Sequence, residues 1–127
     1  MSQVIAIMLG GALGALSRFA LSQFAIQLFG KDFPYGTLIV NVLGSLLMGF
    51  LSVYLLTKAN LDPVFRMALI VGFLGAFTTF STFSMDTLLL LESGAVTKGI
   101  VNIALNVCLS LLAVWSGMLA ARALFSH

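Results

Sequence analysis

The sequence predicts an all-α membrane protein of four transmembrane helices, and three observations carry that prediction. Of the 127 residues, 61% are hydrophobic and 8% charged, with a mean hydropathy of +1.15. A soluble domain carries about 25% charged residues. Six Lys and Arg with four Asp and Glu cannot clothe one of this size, so lipid is the solvent this surface suits. The apolar residues also fall into four long stretches, and the segments between them are short and rich in turn residues. The length suits one compact unit rather than two domains.

The first stretch, Val4 to Leu28, has no Lys or Arg before it and is longer than the apolar core of a signal peptide. It reads as an uncleaved first span. Gly10 and Gly14 stand in a GxxxG spacing, the usual signature of close helix contact in membranes. Arg18 lies about ten residues from the nearer end of that span, deeper than snorkelling explains. An ionisable residue at that depth is a functional-site candidate by default. Drawing anions into a wet vestibule is one role for it, and tethering a helix end is the other.

Gly30-Lys31-Asp32-Phe33-Pro34 closes the first stretch, and the second runs from Leu38 to Leu56. Thr37 and Asn41, four apart, share one face of that helix, while Ser45 and Gly49 repeat the small-residue spacing. Lys58-Ala59-Asn60-Leu61-Asp62-Pro63 then turns the chain into the third stretch, Val64 to Leu91. Each stretch meets the roughly 17–25 residues a membrane-spanning helix needs.

The third stretch is unlike the others at its middle, which reads Gly72-Phe73-Leu74-Gly75-Ala76-Phe77-Thr78-Thr79-Phe80-Ser81-Thr82-Phe83-Ser84. Two glycines followed by Thr, Ser and Phe form helix poorly. Such an interruption points to a site built by a broken helix, whose freed carbonyls suit a hard cation. The competing reading is a continuous helix whose hydroxyls bond back to carbonyls one turn earlier. A break is expected between Gly75 and Thr78, and local backbone dihedrals at Gly75 are expected to exclude a larger residue. Phe80 and Phe83, three apart, share a face. They pack against neighbours or lipid, or they offer the electropositive ring edge to an anion.

Glu92-Ser93-Gly94 leads into the fourth stretch, Ile100 to Leu124, where Asn102, Asn106 and Ser110 recur every four residues. Such side chains commonly bond between helices. They also carry the N–H and O–H donors that a small hydrated anion needs in place of water. Asp86, near the far end of the third stretch, pairs locally or lines the same vestibule as Arg18.

Several classes are excluded. A net charge of +2, scattered along the chain, does not suit nucleic acid. The single Cys108 rules out an internal disulfide and a cysteine metal cage. With one terminal histidine, His127, and no histidine–carboxylate cluster, the chain is not an enzyme. Four spans put both termini on one side with Lys58, Arg66 and Arg122, against Lys31 and Lys98 on the other. A bias of three against two scarcely orients a membrane protein. Either this slight bias fixes one orientation, or the chain inserts both ways and opposite copies pair, making an inverted repeat from two chains.

Gly36-Thr37-Leu38-Ile39-Val40-Asn41, the third-span run from Gly72 to Ser84, and Gly14-Ala15-Leu16-Ser17-Arg18-Phe19 resemble the motifs of the CrcB/Fluc fluoride channels. The resemblance covers the whole chain in length, span count and motif order. It implies an antiparallel, dual-topology homodimer in a bacterial-type inner membrane, with two fluoride pathways and a passive export role. By position it implies Phe80, Phe83, Asn41, Ser110 and Thr37 as pore residues and Arg18 as a vestibule residue. It further implies Gly75 and Thr78 as the carbonyl ligands of a structural Na⁺ between subunits. Phe77 stands where some relatives have Leu, Asp86 where some have Glu, and Asn102 and Asn106 at variable positions. The alternative is a small multidrug-resistance transporter, which shares size and span count. It requires a carboxylate in its first span, where this chain has only Arg18.

Overall fold

The computed structural model describes residues 1–57 and 60–125. Lys58 and Ala59 of the second turn, and Ser126 and the terminal His127, lie outside the described residues. Among the described residues the chain is all helical. The helices are α1 (Ser2–Phe29), α2 (Tyr35–Thr57), α3 (63–77), α4 (Phe80–Glu92) and α5 (Val96–Phe125). α3 and α4 together form the third span, so four spans cross the bilayer.

Each helix runs a few residues past its apolar stretch, because the turns hold capping residues. Gly30, with φ +82°, ends α1 and donates its N–H to the Ile26 carbonyl at 2.8 Å. Gly94, with φ +87°, ends α4. Both occupy the left-handed region that glycine enters without a Cβ penalty. The third span starts at Pro63, with the Asp62 carboxylate accepting from the Val64 N–H at 3.0 Å. Proline at the first helical position and aspartate before it form a standard helix start.

α3 begins as α-helix over Pro63–Arg66, widens to a π-helix over Met67–Leu74 and returns to α over Gly75–Phe77. The π segment packs on α1 with the two backbones almost touching. A Cβ on Gly10 would land on the Ala68 carbonyl oxygen, and one on Gly14 would land on that of Phe73. A Cβ on Gly72 would lie 2.8 Å from the Ile7 carbonyl oxygen. The GxxxG spacing therefore serves a contact within the chain. On the other side of the molecule α2 and α5 meet in the same way, Gly49 against the Val114 carbonyl and Gly117 against that of Leu46. Gly49 is buried in this contact, whereas Ser45 is turned towards a cavity.

Large apolar side chains remain exposed on the outside. Leu9, Leu13, Leu16 and Phe19 stand out on α1, and Val107, Leu111 and Trp115 on α5. Water does not tolerate an apolar surface of this extent, whereas lipid or a second membrane protein does.

Candidate functional site

The third span breaks between α3 and α4. Thr78 has φ −84° and ψ 158°, and Thr79 has φ −151° and ψ 118°, both extended. The break therefore follows Gly75, and Gly75 itself is helical at φ −60° and ψ −36°. Its backbone is one any residue adopts, and an added Cβ would meet only the Ile70 carbonyl oxygen, at 3.8 Å. This corrects the expectation that Gly75 is held by special dihedrals. Within one subunit nothing there requires a glycine. Glycines weaken a helix, but two consecutive Thr residues are what leave it, because their side chains can replace helical bonds. The Thr79 hydroxyl accepts the Thr82 N–H at 3.2 Å and so caps α4.

Two neighbouring helices hold the break open. Arg18 on α1 donates from Nε to the Ala76 carbonyl at 3.0 Å, tethering the end of α3. Asn41 on α2 clamps Thr79 from both sides, accepting its N–H at 2.8 Å and donating Nδ2 to its carbonyl at 3.0 Å. A backbone amide freed inside a membrane needs such a partner, since lipid offers none. Among the described residues no protein donor reaches the Gly75 or Thr78 carbonyls. That leaves oxygens suited to a hard cation such as Na⁺, and the residues present fit that group in chemistry.

Beside the break lies a cavity of about 310 Å³. Asn41, Phe80, Phe83 and Ser110 all line it, together with Thr78, Thr79, Asn106 and Ser45. Three helices thus converge four of the five sequence-identified pore residues on one space. The rings of Phe80 and Phe83 sit 5.5 Å apart and edge-to-face at 62°. Phe83 is buried, but Phe80 is 77% exposed, so one wall of the cavity stands open to the outside of the chain. The Ser110 hydroxyl is buried without a protein partner, which an anion or water would supply. The cavity also faces the first turn of α4, the positive end of that helix's dipole.

Thr37 lies elsewhere. With Asp86 it lines a second cavity of about 480 Å³, bounded by Ser22, Lys31 and Thr82. The Thr37 hydroxyl donates to the Asp86 carboxylate at 2.8 Å, and both an acidic and a basic side chain line this cavity. The structure therefore divides the proposed pore residues between two spaces.

Asn102 and Asn106 are interhelical bonding groups. Asn102 donates to the Thr87 hydroxyl at 2.9 Å, and Asn106 donates to both the carbonyl and the side-chain oxygen of Asn102. Asn106 in turn accepts an N–H from Asn41 at 2.9 Å. Sequence reasoning missed Thr79, Asn106 as the partner of Asn41, and Ala76 as the anchor of Arg18. The Thr79–Thr82 spacing is a legible cap signal, whereas a backbone carbonyl leaves no trace in sequence. Among the described residues no group of three or more His, Cys, Asp or Glu could hold a metal through side chains.

Residues 5–118 match the family model described as CrcB-like protein, Camphor Resistance. The chain is 53% identical over 121 residues to the fluoride-specific ion channel FluC of Methylococcus capsulatus, covering 95% of this chain and 53% of that protein. It is 48% identical over 124 residues to the protein of that name from Citrifermentans bemidjiense, covering 98% of this chain and 100% of that one. Against the one from Shewanella sediminis it is 50% identical over 118 residues, covering 92% and 94%. The chain thus spans about half the length of the Methylococcus relative and nearly all of the other two.

Proposed function

The chain belongs to the CrcB family, and from that premise we propose that it is a passive, fluoride-selective channel of the plasma membrane that lets fluoride leave the cytoplasm. The observation that carries this reading is the convergence of Asn41, Phe80, Phe83 and the unpartnered Ser110 hydroxyl on one cavity inside the membrane-spanning region. A donor and two ring edges can stand in for the hydration of a small anion without trapping it as a full positive charge would. Fluoride that enters as neutral HF dissociates inside. A negative interior then drives the anion out at about 2.3 kcal/mol per charge per 100 mV. No pump or covalent chemistry is required.

The channel assembles as an antiparallel homodimer. The 77% exposure of Phe80 supports this, since a pore residue open to the outside of its own chain needs a second surface to complete the wall. The Gly75 and Thr78 carbonyls of two subunits would together hold one Na⁺. That ion would join the subunits and raise the potential for anions nearby. The competing transporter reading lacks its essential acid, since the α1 span has Arg18 and no carboxylate.

Anion efflux from liposomes holding the purified protein tests the function. Fluoride leaves rapidly and chloride does not. Equal transport of both, or of neither, ends the channel reading, and drug-dependent proton exchange favours the transporter. Labelling a cysteine placed beside Lys31, in a Cys108→Ala background, tests the topology. It is reached from both faces of the membrane if the chain inserts both ways, and from one face if it does not.

A further inference from the structure

Asn41 faces the cavity with neither of its donors free. One Nδ2 N–H goes to the Thr79 carbonyl at 3.0 Å, and the other goes to the Asn106 side-chain oxygen at 2.9 Å. The orientation of the amide is fixed as well, since its oxygen already accepts the Thr79 N–H. Asn106 cannot turn its own amide round without loss. Its Nδ2 is held by the Asn102 carbonyl at 2.9 Å and the Asn102 side-chain oxygen at 3.0 Å, and Asn102 is anchored in turn on Thr87. Asn102 and Asn106 are 0% and 5% exposed, so water does not relieve the pair. Any anion that takes a donor from Asn41 must therefore displace an oxygen. The Thr79 carbonyl belongs to the backbone at the break, so the Asn106 oxygen is the one that can yield.

Resting on the fluoride reading above, we propose that the side-chain oxygen of Asn106 is a built-in competitor of the permeating anion that keeps its binding loose enough for it to move on. It holds one N–H of Asn41 until a stronger acceptor replaces it. Fluoride is small, concentrates its charge and is among the strongest hydrogen-bond acceptors, so it can displace an amide oxygen. Chloride spreads the same charge over a larger sphere and accepts more weakly, so the amide oxygen keeps its place. The exchanged bond is thus a cost to the anion that takes this donor, and it lowers the affinity for fluoride without adding discrimination against chloride. Asn106 acts through Asn41, so it is a positioning residue whether or not it also touches the ion.

Asn106→Leu keeps the branched shape and heavy-atom count and removes the competing oxygen. A bond of this kind contributes about 1 kcal/mol, which is about fivefold in an equilibrium constant. In liposome efflux the variant should half-saturate at about fivefold lower fluoride, with no rise in the chloride-to-fluoride flux ratio. Thr87→Val is the control for general damage to the buried polar chain. It removes the acceptor from Asn102 yet contacts neither Asn41 nor the cavity, and should move the half-saturating fluoride concentration by less than about twofold. Equal shifts in both variants, or no shift in Asn106→Leu, overturn the proposal. A second measurement needs no variant. In the unaltered protein, the two side-chain amide protons of Asn41 are followed by nuclear magnetic resonance as fluoride is added. The proton directed at Asn106 should move and the one directed at Thr79 should stay; both moving, or neither, refutes exchange at Asn106. Absence of fluoride flux in the unaltered protein would instead sink the function itself, so the two failures are distinct.

Discussion

The two halves of the third span are held by opposite means. α3 lies on α1 through bare backbone, with Gly10, Gly14 and Gly72 leaving no room for a methyl group. α4 is held through side chains, with Thr37 on Asp86, Asn102 on Thr87 and Asn41 at Thr79. Backbone contact gives a close, unspecific fit that depends on small size, and side-chain contact gives direction and charge. The first half is thus the scaffold that fixes where the span breaks. The second carries the groups an anion would meet. Before Thr78 the side-chain bonds are those of Arg18 to the Ala76 carbonyl and Arg66 to the Leu55 carbonyl, whereas after it the span's own Thr and Asp side chains join the network.

The largest effect should come from adding bulk on the scaffold side. Gly14→Leu would drive its side chain into the Phe73 carbonyl, which the helix cannot move, so the cost lies at or above the upper end of about 1–3 kcal/mol for overpacking. No monodisperse protein should survive detergent extraction. A well-folded Gly14→Leu variant would break the comparison.

On the site side removal matters more than addition. Asn41→Ala leaves the Thr79 N–H and carbonyl without partners, costing about 1–3 kcal/mol. The melting temperature should fall along with fluoride flux. A variant that loses flux at unchanged stability would show that Asn41 serves the ion alone and does not brace the break.

Phe80→Ile and Phe83→Ile keep bulk and remove the ring edge. Each should lower fluoride flux by about tenfold or more, equivalent to the loss of about 1.4 kcal/mol along the path. In one subunit only Phe83 is buried, so only Phe83→Ile should disturb packing. Equal loss of stability for both would show that a partner chain covers Phe80. Parent-like flux in both would make the rings mere packing.

The smallest effect within one subunit belongs to Gly75→Ala. Its helical backbone and open Cβ position predict a gain of about 0.5–1 kcal/mol in helix stability. Against that gain, the stabilisation of the dimer by sodium, read as the shift in melting temperature on replacing sodium with a large organic cation, should shrink. A sodium effect that is unchanged in Gly75→Ala, or absent in the parent protein, would remove the ion from between the subunits.

Sequence alone determined the four spans, the all-helical class and the membrane as solvent. Hydropathy over about 20 residues is a sum, and sums survive ignorance of geometry. It also pointed to a break in the third span, because Gly and paired Thr weaken a helix wherever they stand. Only the tertiary structure put the break at Thr78 and Thr79 rather than at Gly75, since the choice depends on Asn41 standing opposite to receive the freed amide. The π-helical turn over Met67–Leu74 was illegible for the same reason: it answers to the glycine face of α1, which lies more than fifty residues away in the chain. The four-residue spacing of Asn102, Asn106 and Ser110 gave a shared face but not a shared role. The fold left two of them bonded in the core and one with its hydroxyl unpartnered beside the cavity. Local sequence sets which groups are available, and packing decides which of them are left without a partner.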